Sequence, residues 1–191
     1  MRVLVTWGSE RGGTEGIAHM LADALHRDGV DAEVLAPTAI ATLHGFDAVI
    51  VGGALYANRW HRVARRFVRR HVRELRRVPV WFFSSGPLDA SADASELPPT
   101  TQVAALMERV GARGHRTFGG RLLPDTKGAM ARSIAKKSGG DFRNPERIRA
   151  WADELAAALP TARPGLAIEP EARSPSRLLG HVLVAALLAV A

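Results

Sequence analysis

A turn rich in glycine and hydroxyl residues joins an apolar run to a helical pattern near the start of the chain. The apolar run extends from Val3 to Trp7, the turn comprises residues 8–15, and apolar residues then recur at helical spacing until Gly29. The first N–H groups of a helix lack intrahelical partners and lie at the positive end of the helix dipole, so such a turn can hold an anion. Glycine also lets the backbone approach a ligand closely. The pattern is typical of a phosphate-binding loop.

The glycine spacing narrows the kind of phosphate that this loop suits. A dinucleotide-binding loop reads G-x-G-x-x-G and needs an acidic residue at the end of the second strand, whereas the glycines here stand at 8, 12, 13 and 16 and the second apolar run ends in Ala36-Pro37-Thr38. A triphosphate-binding loop needs Gly-Lys-Ser/Thr, and Gly12-Gly13-Thr14 lacks the lysine. The remaining loop of hydroxyls and backbone amides carries little fixed positive charge and suits a monophosphate.

Buried apolar runs alternate with amphipathic segments along the chain, and these elements must position the loop. We predict strands at residues 3–7, 32–35, 48–53, 78–83 and 115–122. Helices lie between them, among them basic helices at residues 59–77 and 127–137 and a last helix that begins at Pro145, and residues 89–100 form a long surface loop. This alternation predicts a doubly wound α/β fold, a mostly parallel sheet with helices on both faces. Ligands bind at the carboxyl ends of strands in such sheets, so residues 8–14, 53–59 and 84–88 should converge on one crevice.

Residues 5–15, Val-Thr-Trp-Gly-Ser-Glu-Arg-Gly-Gly-Thr-Glu, resemble the FMN-phosphate loop of flavodoxins, in which a strand is followed by Ser/Thr-x-x-Gly-x-Thr. Residues 52–61, 67–71 and 80–85 are similar to the flavodoxin-like branch typified by menaquinone-dependent protoporphyrinogen oxidase. The most specific match is residues 130–141, Met-Ala-Arg-Ser-Ile-Ala-Lys-Lys-Ser-Gly-Gly-Asp. Together the matches cover roughly residues 1–160. The resemblance implies a flavodoxin-like five-stranded parallel sheet of strand order 2-1-3-4-5.

The resemblance also implies a cofactor, FMN, and the residues that contact it. Its phosphate would be held by Ser9, Gly12, Gly13 and Thr14, with Glu10 and Arg11 contributing chiefly backbone N–H groups. The flavin ring would be lined on one side by Ala54, Leu55, Tyr56, Ala57 and Asn58 and on the other by Ser84, Ser85, Gly86 and Pro87. Tyr56 is the candidate stacking partner. A plain strand-to-helix turn with Thr14 as N-cap is the alternative for the first loop.

Glu10 departs from the flavodoxin pattern, which commonly has a threonine at that place. A carboxylate beside a phosphate is repulsive unless it points outward or Arg11 offsets its charge. The position of Glu10 is therefore a test of the phosphate-loop interpretation.

The function implied by the resemblance is that of an FMN-dependent oxidoreductase, which dehydrogenates a protoporphyrinogen-type substrate and passes the electrons to a quinone. The flavin carries the redox chemistry in such proteins, so no side chain is assigned as a catalytic acid or base. Two alternatives stay open: a flavodoxin-type electron carrier without its own substrate, and a flavin-free basic binding module. The basic charge of the chain and its long loop at residues 89–100 weigh against the carrier.

Positive charge is concentrated in the predicted helix at residues 59–77. The chain has 26 Lys and Arg residues against 19 Asp and Glu residues, a net charge of +7, and this segment contains nine arginines and one acidic residue, Glu74. A surface of one sign attracts anionic membranes, nucleic acids or acidic proteins. A charge-rich outer face is usually only solvated, and contact with an anionic membrane surface is the alternative for this helix. We expect a quinone or redox partner, and no nucleic acid, because aromatic residues make up 6% of the chain and no stacking motif interleaves with the charge.

Absent residue types exclude several kinds of site. The chain has no cysteine, which excludes disulfides, thiolate metal sites and cysteine nucleophiles, and its 7 histidines show no ligand spacing supported by carboxylates. No signal peptide is recognisable at the N-terminus. We therefore predict no metal site and expect a cytoplasmic protein, with a peripheral position at the inner face of the membrane as an open alternative.

Composition divides the chain into three parts. We predict an FMN-binding domain at residues 1–160, a linker rich in Pro, Ala, Arg and Glu at residues 161–177, and a short apolar tail at residues 178–191. The tail is shorter than the ~20 residues that a membrane-spanning helix requires. It could dip into a membrane surface, pack on the domain or be disordered.

Overall fold

Five parallel strands form the central sheet of the protein, and a sixth, short strand pairs with one of them. A computed structural model describes residues 1–124, 126 and 129–159. The six strands are β1 (Arg2–Gly8), β2 (Asp31–Val34), β3 (Ala48–Tyr56), β4 (Arg59–Trp60), β5 (Val80–Ser85) and β6 (Gly114–Phe118). The order across the sheet is β2-β1-β3-β5-β6, and β4 pairs antiparallel with the end of β3. Taken alone, the five parallel strands have the predicted order 2-1-3-4-5, so the predicted fold class is confirmed.

Helices cover both faces of this sheet. They are α1 (Gly13–Arg27), α2 (Arg62–Arg70), α3 (Val72–Leu75), α4 (Ser91–Ala94), α5 (Thr101–Val110), α6 (Ala129–Ser138) and α7 (Pro145–Ala158). The apolar sides of α1 and α7 pack together on one face, where Ile17, Leu21 and Trp151 are buried. On the other face α2, α3 and α5 bury residues such as Phe67, Leu75 and Leu106. Two cores therefore sandwich the sheet, as expected for a doubly wound fold.

The predicted helix at residues 59–77 is wrong in its first turn and in its continuity. Ala57 and Asn58 have positive φ angles of 46° and 60°, which is the geometry of a type I′ hairpin turn, so the chain folds back as β4 before α2 begins. The indole of Trp60 then packs under β3, where a Cβ atom at Gly53 would lie 2.4 Å from its ring. The helix is interrupted at His71, whose buried imidazole binds Glu74 instead of facing solvent.

The predicted strand at residues 115–122 is divided by a glycine pair. After β6 the chain passes through Gly119-Gly120 and forms β7 (Arg121–Leu122), which pairs antiparallel with β8 (Gly140–Asp141). The backbone passes very close here, since a Cβ atom at Gly119 would overlap the carbonyl oxygen of Phe142. The predicted long loop at residues 89–100 contains the single turn α4. The linker at residues 161–177 and the apolar tail at residues 178–191 lie outside the described residues.

Candidate functional site

The carboxyl ends of β1, β3 and β5 meet at one edge of the sheet, where the three predicted loops begin. The parallel register pairs Gly8 with Gly53 and Gly53 with Ser84. Between the loops lies a cavity of about 290 Å³, which we call the loop cavity. It is lined by Ser9, Arg11, Gly13, Thr14, Ala54, Leu55, Tyr56, Ala57, Ser85, Gly86, Leu88, Gly120, Arg121 and Leu122. The topology thus brings distant segments of the chain around one concave site.

The N-terminus of α1 opens into this cavity. Gly12 caps the helix with φ 71°, a left-handed conformation that favours glycine, and its carbonyl accepts the N–H of Gly16 at 3.0 Å. Thr14 is therefore the second residue of the helix, and the interpretation of Thr14 as N-cap is wrong. Its hydroxyl and that of Ser9 are buried, and neither has a hydrogen-bond partner among the described residues. Two unpartnered hydroxyls beside free helix N–H groups call for an acceptor from a ligand.

Arg121, which lies outside the three predicted loops, adds positive charge to this helix end. A Cβ atom at Gly12 would lie 3.4 Å from Nη2 of Arg121, and one at Gly13 would lie 3.3 Å from its backbone nitrogen. The Nε atom of Arg121 is buried and has no hydrogen-bond partner among the described residues, and the same is true of Nε of Arg11. The loop therefore combines hydroxyls and amides with two guanidinium groups, and the prediction of little fixed positive charge is wrong.

The β7–β8 ribbon carries Arg121 to the helix end. Arg121 lies opposite Asp141 in the ribbon, but Nε of Arg143 donates to the Asp141 carboxylate at 2.7 Å. That hydrogen bond is the main reason that the pKa of Asp141 is lowered, and the charge of Arg121 adds to it. The carboxylate is thus engaged by Arg143, so Arg121 is left to face the loop cavity.

Glu10 points away from the loop cavity. Its Oε1 atom lies 3.1 Å from Nε2 of His61, and its side chain is 63% exposed. Glu10 does not line the cavity. The repulsion between Glu10 and a phosphate is therefore relieved by the outward orientation of Glu10.

The two remaining loops form facing walls of the cavity. Ala54, Leu55, Tyr56 and Ala57 line one wall, and Ser85 and Gly86 line the other. The two walls touch at one point, since a Cβ atom at Gly86 would lie 2.9 Å from Cδ1 of Leu55. The lining is largely apolar apart from the helix end described above, so the cavity suits a mostly apolar group that carries an anion.

Tyr56 stands at the rim of the cavity between the side chains of Arg11 and His61. The guanidinium carbon of Arg11 lies 5.4 Å from the centre of the Tyr56 ring, and the His61 ring meets Tyr56 edge-on at 5.8 Å between centroids. A cation this close to an aromatic face is attracted by the ring quadrupole. Tyr56 is therefore held in place by contacts that leave part of it facing the cavity.

Five of the residues predicted to bind the cofactor do not line the cavity. They are Glu10, Gly12, Asn58, Ser84 and Pro87. The carbonyl of Pro87 accepts the N–H of Gly120 at 2.7 Å and so joins the third loop to the glycine pair. Gly12 acts as the helix cap, and Asn58 completes the hairpin turn.

Ser84 is buried behind the wall, where it contacts the buried Trp60 and the half-buried His115. Its hydroxyl accepts the indole N–H of Trp60 at 2.8 Å and lies 2.9 Å from Nε2 of His115. Burial, with a smaller effect of the neighbouring Arg116, lowers the pKa of His115 to about 4, so the imidazole is neutral at neutral pH. These contacts give Ser84 a structural role.

Three residues that line the cavity lie outside the three predicted loops: Gly120, Arg121 and Leu122. The dipeptide Gly119-Gly120 was the available signal, because paired glycines inside a strand pattern mark a break or a close backbone approach. The pattern does not indicate where the chain goes after the break.

Comparison with known families agrees with this architecture. The family profile described as a flavodoxin domain matches residues 4–139. The chain belongs to the flavodoxin family. Flavodoxins bind a flavin, typically FMN. Comparison with curated protein sequences found no significant match.

Solved structures show that the fold is shared by proteins of low sequence identity. An archaeal flavodoxin has 12% identity and a TM-score of 0.57 over 83% of this chain and 99% of its own. Flavodoxin 1 from Bacillus cereus has 14% identity and a TM-score of 0.56 over 84% of this chain and 100% of its own. Rubredoxin oxygen:oxidoreductase from Desulfovibrio gigas has 16% identity and a TM-score of 0.57 over 83% of this chain and 36% of its own. At these identities the likeness extends to the fold alone.

Two further features concern residues 1–124, 126 and 129–159. No group of three or more His, Asp or Glu side chains in these ranges could hold a metal ion. No helix in the same ranges is long and apolar enough to cross a membrane.

Proposed function

We propose that this flavodoxin-family protein is an FMN-dependent oxidoreductase whose FMN binds in the loop cavity. The observation that carries the proposal is a set of four buried polar atoms at the N-terminus of α1 that have no hydrogen-bond partner among the described residues. They are Ser9 Oγ, Thr14 Oγ1, Arg11 Nε and Arg121 Nε. Hydroxyls, free helix N–H groups and guanidinium groups together match a phosphate monoester, whereas a neutral ligand would leave both cations uncompensated.

We assign the FMN contacts to three loops. Ser9, Gly12, Gly13 and Thr14 would hold the phosphate together with the backbone N–H groups of Glu10 and Arg11, and Arg121 would add its charge. The flavin ring would lie between residues 54–58 and residues 84–88, with Tyr56 at the rim. This assignment is supported by the convergence of these loops on one cavity, although Ser84 faces away from it.

Bound FMN would supply reversible electron transfer. The chain would bind the group, orient it and limit the access of water to it. Leu55, Leu88 and Leu122 give the cavity an apolar lining, which lowers the local dielectric and strengthens the interactions of Arg11 and Arg121 with anionic groups. No side chain at the site is assigned to proton transfer.

For the substrate, we propose the dehydrogenation of a protoporphyrinogen-type compound, with the electrons and protons passing to a quinone. This finer proposal rests on the resemblance of residues 52–61, 67–71, 80–85 and 130–141 to the protoporphyrinogen oxidase branch. Anaerobic mixing of the FMN-loaded protein with protoporphyrinogen tests it. Reduction of the flavin faster than the spontaneous oxidation of the substrate, followed by reoxidation on addition of a quinone, is the expected result.

A flavodoxin-type electron carrier is the second candidate. The observation that favours it is the extent of the fold match, because this chain covers 99% to 100% of the length of two flavodoxins. In the same anaerobic experiment a carrier would accept electrons from a reductase or from dithionite and would not be reduced by protoporphyrinogen.

The visible spectrum of the purified protein tests FMN binding, and Thr14→Val tests the loop. Thr14 is 1% exposed, and losing one hydrogen bond to a charged phosphate should cost roughly 1.5 to 3 kcal/mol, which weakens FMN binding about tenfold to a hundredfold. The matched control is Thr101→Val, the same change at an exposed position on α5. A colourless protein that takes up no added FMN would support the flavin-free binding module and contradict both redox functions.

For the partner, we propose that the arginines of α2 and α3 face an anionic membrane surface, in which a quinone would dissolve. Eight arginines of residues 59–77 are exposed, and none of the nine in this segment forms an ion pair among the described residues. Co-sedimentation with vesicles of phosphatidylglycerol, compared with phosphatidylcholine, tests this contact. Binding to both at equal strength would contradict an electrostatic mechanism.

A further inference from the structure

A second concavity adjoins the loop cavity on the outer side of Tyr56. It has a volume of about 430 Å³, and we call it the arginine groove. It is lined by Glu10, Arg11, Tyr56, Arg59, Trp60, His61, Arg62 and Arg65. Tyr56 and Arg11 also line the loop cavity, so the two concavities share a wall.

The arginine groove has an excess of positive charge and unpartnered donors. Its four arginines face one carboxylate, Glu10, which is bound to His61. Within the described residues none of the four forms an ion pair. The Nε atom of Arg65 is buried without a hydrogen-bond partner in the same part of the chain, and so is the Nε atom of Arg11, which lines both the groove and the loop cavity. Buried polar groups without partners cost free energy, so the groove calls for acceptors.

The spacing of the arginines suits a ligand with more than one anionic group. Arg62 and Arg65 are three residues apart and thus lie on one side of α2, and Arg59 precedes them in the hairpin. Each guanidinium group can bind a carboxylate or a phosphate through two N–H donors. Within the part of the chain that the structure describes, His61, the N-cap of α2, makes no side-chain cap bond, so the first N–H groups of this nine-residue helix add to the positive potential.

We propose that the arginine groove binds a small oligoanion, a molecule with two or more carboxylate or phosphate groups. The carboxylate of Glu10 shows where an anionic oxygen is held in the free protein, at 3.1 Å from the His61 imidazole. Because its side chain is 63% exposed, Glu10 can move into solvent when a stronger anion enters. Glu10 thereby acts as a weak internal competitor.

The inference deepens the proposed function, on which its biological meaning rests. An anion held in the groove lies directly beyond Tyr56, so the remainder of the same molecule would reach the mouth of the loop cavity. The groove would then select substrates by their anionic groups. The chemistry on the ring would remain that of the flavin.

Isothermal titration calorimetry on the FMN-loaded protein tests the groove, with citrate as the carboxylate probe and pyrophosphate as the phosphate probe, at constant ionic strength. We expect one of the probes to bind saturably with one site per chain, and the stronger probe to identify the preferred anionic group. The double variant R62Q/R65Q should weaken this binding at least about tenfold, since two charge-assisted contacts are lost. Glu10→Gln should strengthen it by about threefold or more, because the competing charge is removed.

The matched control is R69Q/R70Q, which removes the same charge from the same helix outside the groove. We expect it to change probe affinity less than twofold, and we expect R62Q/R65Q to leave FMN affinity unchanged. The proposal is overturned if neither probe saturates, if both double variants weaken binding equally, or if Glu10→Gln weakens it. Equal weakening by both double variants would indicate a diffuse positive potential, which suits a membrane or an acidic protein.

Failure of the proposed function would be seen separately. A protein that binds no FMN contradicts the flavin assignment, while titration of that same flavin-free protein with the two probes still reports on the groove. Loss of FMN affinity in R62Q/R65Q would contradict the division into two sites.

Discussion

Arg121→Gln tests most sharply whether the guanidinium group of Arg121 binds the FMN phosphate. Nη2 of Arg121 lies 3.4 Å from the place of a Cβ atom at Gly12, beside the free N–H groups of α1, and its Nε atom is buried without a partner among the described residues. Replacing the guanidinium group removes a charge-assisted hydrogen bond to a phosphate, worth roughly 1.5 to 3 kcal/mol. FMN affinity should therefore fall about tenfold to a hundredfold.

The loss should be specific to the phosphate. Fluorescence titration with FMN and with riboflavin, which lacks the phosphate, measures this specificity, and we expect riboflavin affinity to change less than FMN affinity. Because Arg121 is half-buried, the difference should shrink as salt increases without disappearing. Arg109→Gln, the same change on the exposed side of α5, is the control and should leave both affinities unchanged.

Two results would refute the reasoning on Arg121. One is an unchanged FMN affinity at low ionic strength. The other is an equal loss for FMN and riboflavin, which would mean that Arg121 shapes the cavity and does not bind the phosphate. Since Arg121 has no ion-pair partner among the described residues, the stability of the flavin-free protein should change little.

Further predictions concern side chains that hold the fold. Ser84→Ala should destabilise the protein by roughly 1 to 3 kcal/mol in chemical denaturation, because the buried N–H of Trp60 and the His115 ring lose their shared partner. FMN affinity should stay unchanged. A large loss of FMN affinity in a stable variant would show that Ser84 contacts the ligand in the loop cavity. The pKa of Glu74 is lowered to about 2, chiefly by its hydrogen bond with His71 and also by the N–H of Leu43. The stabilisation by this carboxylate is therefore present above its ordinary pKa of 4.5 and is lost as the pH falls towards 2. Glu74→Gln should lower the free energy of unfolding by about 1 kcal/mol at pH 7, a value reduced for the 35% exposure of the side chain, and the difference from the natural chain should vanish near pH 2. A pH-independent difference would contradict this account.

The arrangement of the loops could be predicted because it depends on local patterns and one general rule. Unbroken apolar runs such as Ala48–Val51 mark buried parallel strands, and parallel strands deliver their carboxyl ends to one edge of the sheet. The glycine-rich turn before α1 was also visible, because the periodicity changes there from strand to helix. Resemblance to the flavodoxin family added the strand order.

Other features depend on contacts that no local pattern encodes. Arg121 reaches the helix end only because β7 pairs with β8, and Glu10 turns outward because His61, 51 residues away, binds it. The hairpin at Ala57-Asn58 lacks the Asn-Gly signature of a type I′ turn. The sequence pattern therefore predicted that a helix begins at Arg59. Ser84 and Ser85 are neighbours in a strand and must face opposite sides, but the strand pattern does not say which of them faces the cavity.

The central claim is that a flavin phosphate is held at the N-terminus of α1. Parallel titrations of the flavin-free protein with FMN and with riboflavin test it most directly, since the two ligands differ only in the phosphate. Contacts from two buried hydroxyls and two guanidinium groups predict that FMN binds at least about a hundredfold more tightly than riboflavin. Equal affinities would contradict the claim.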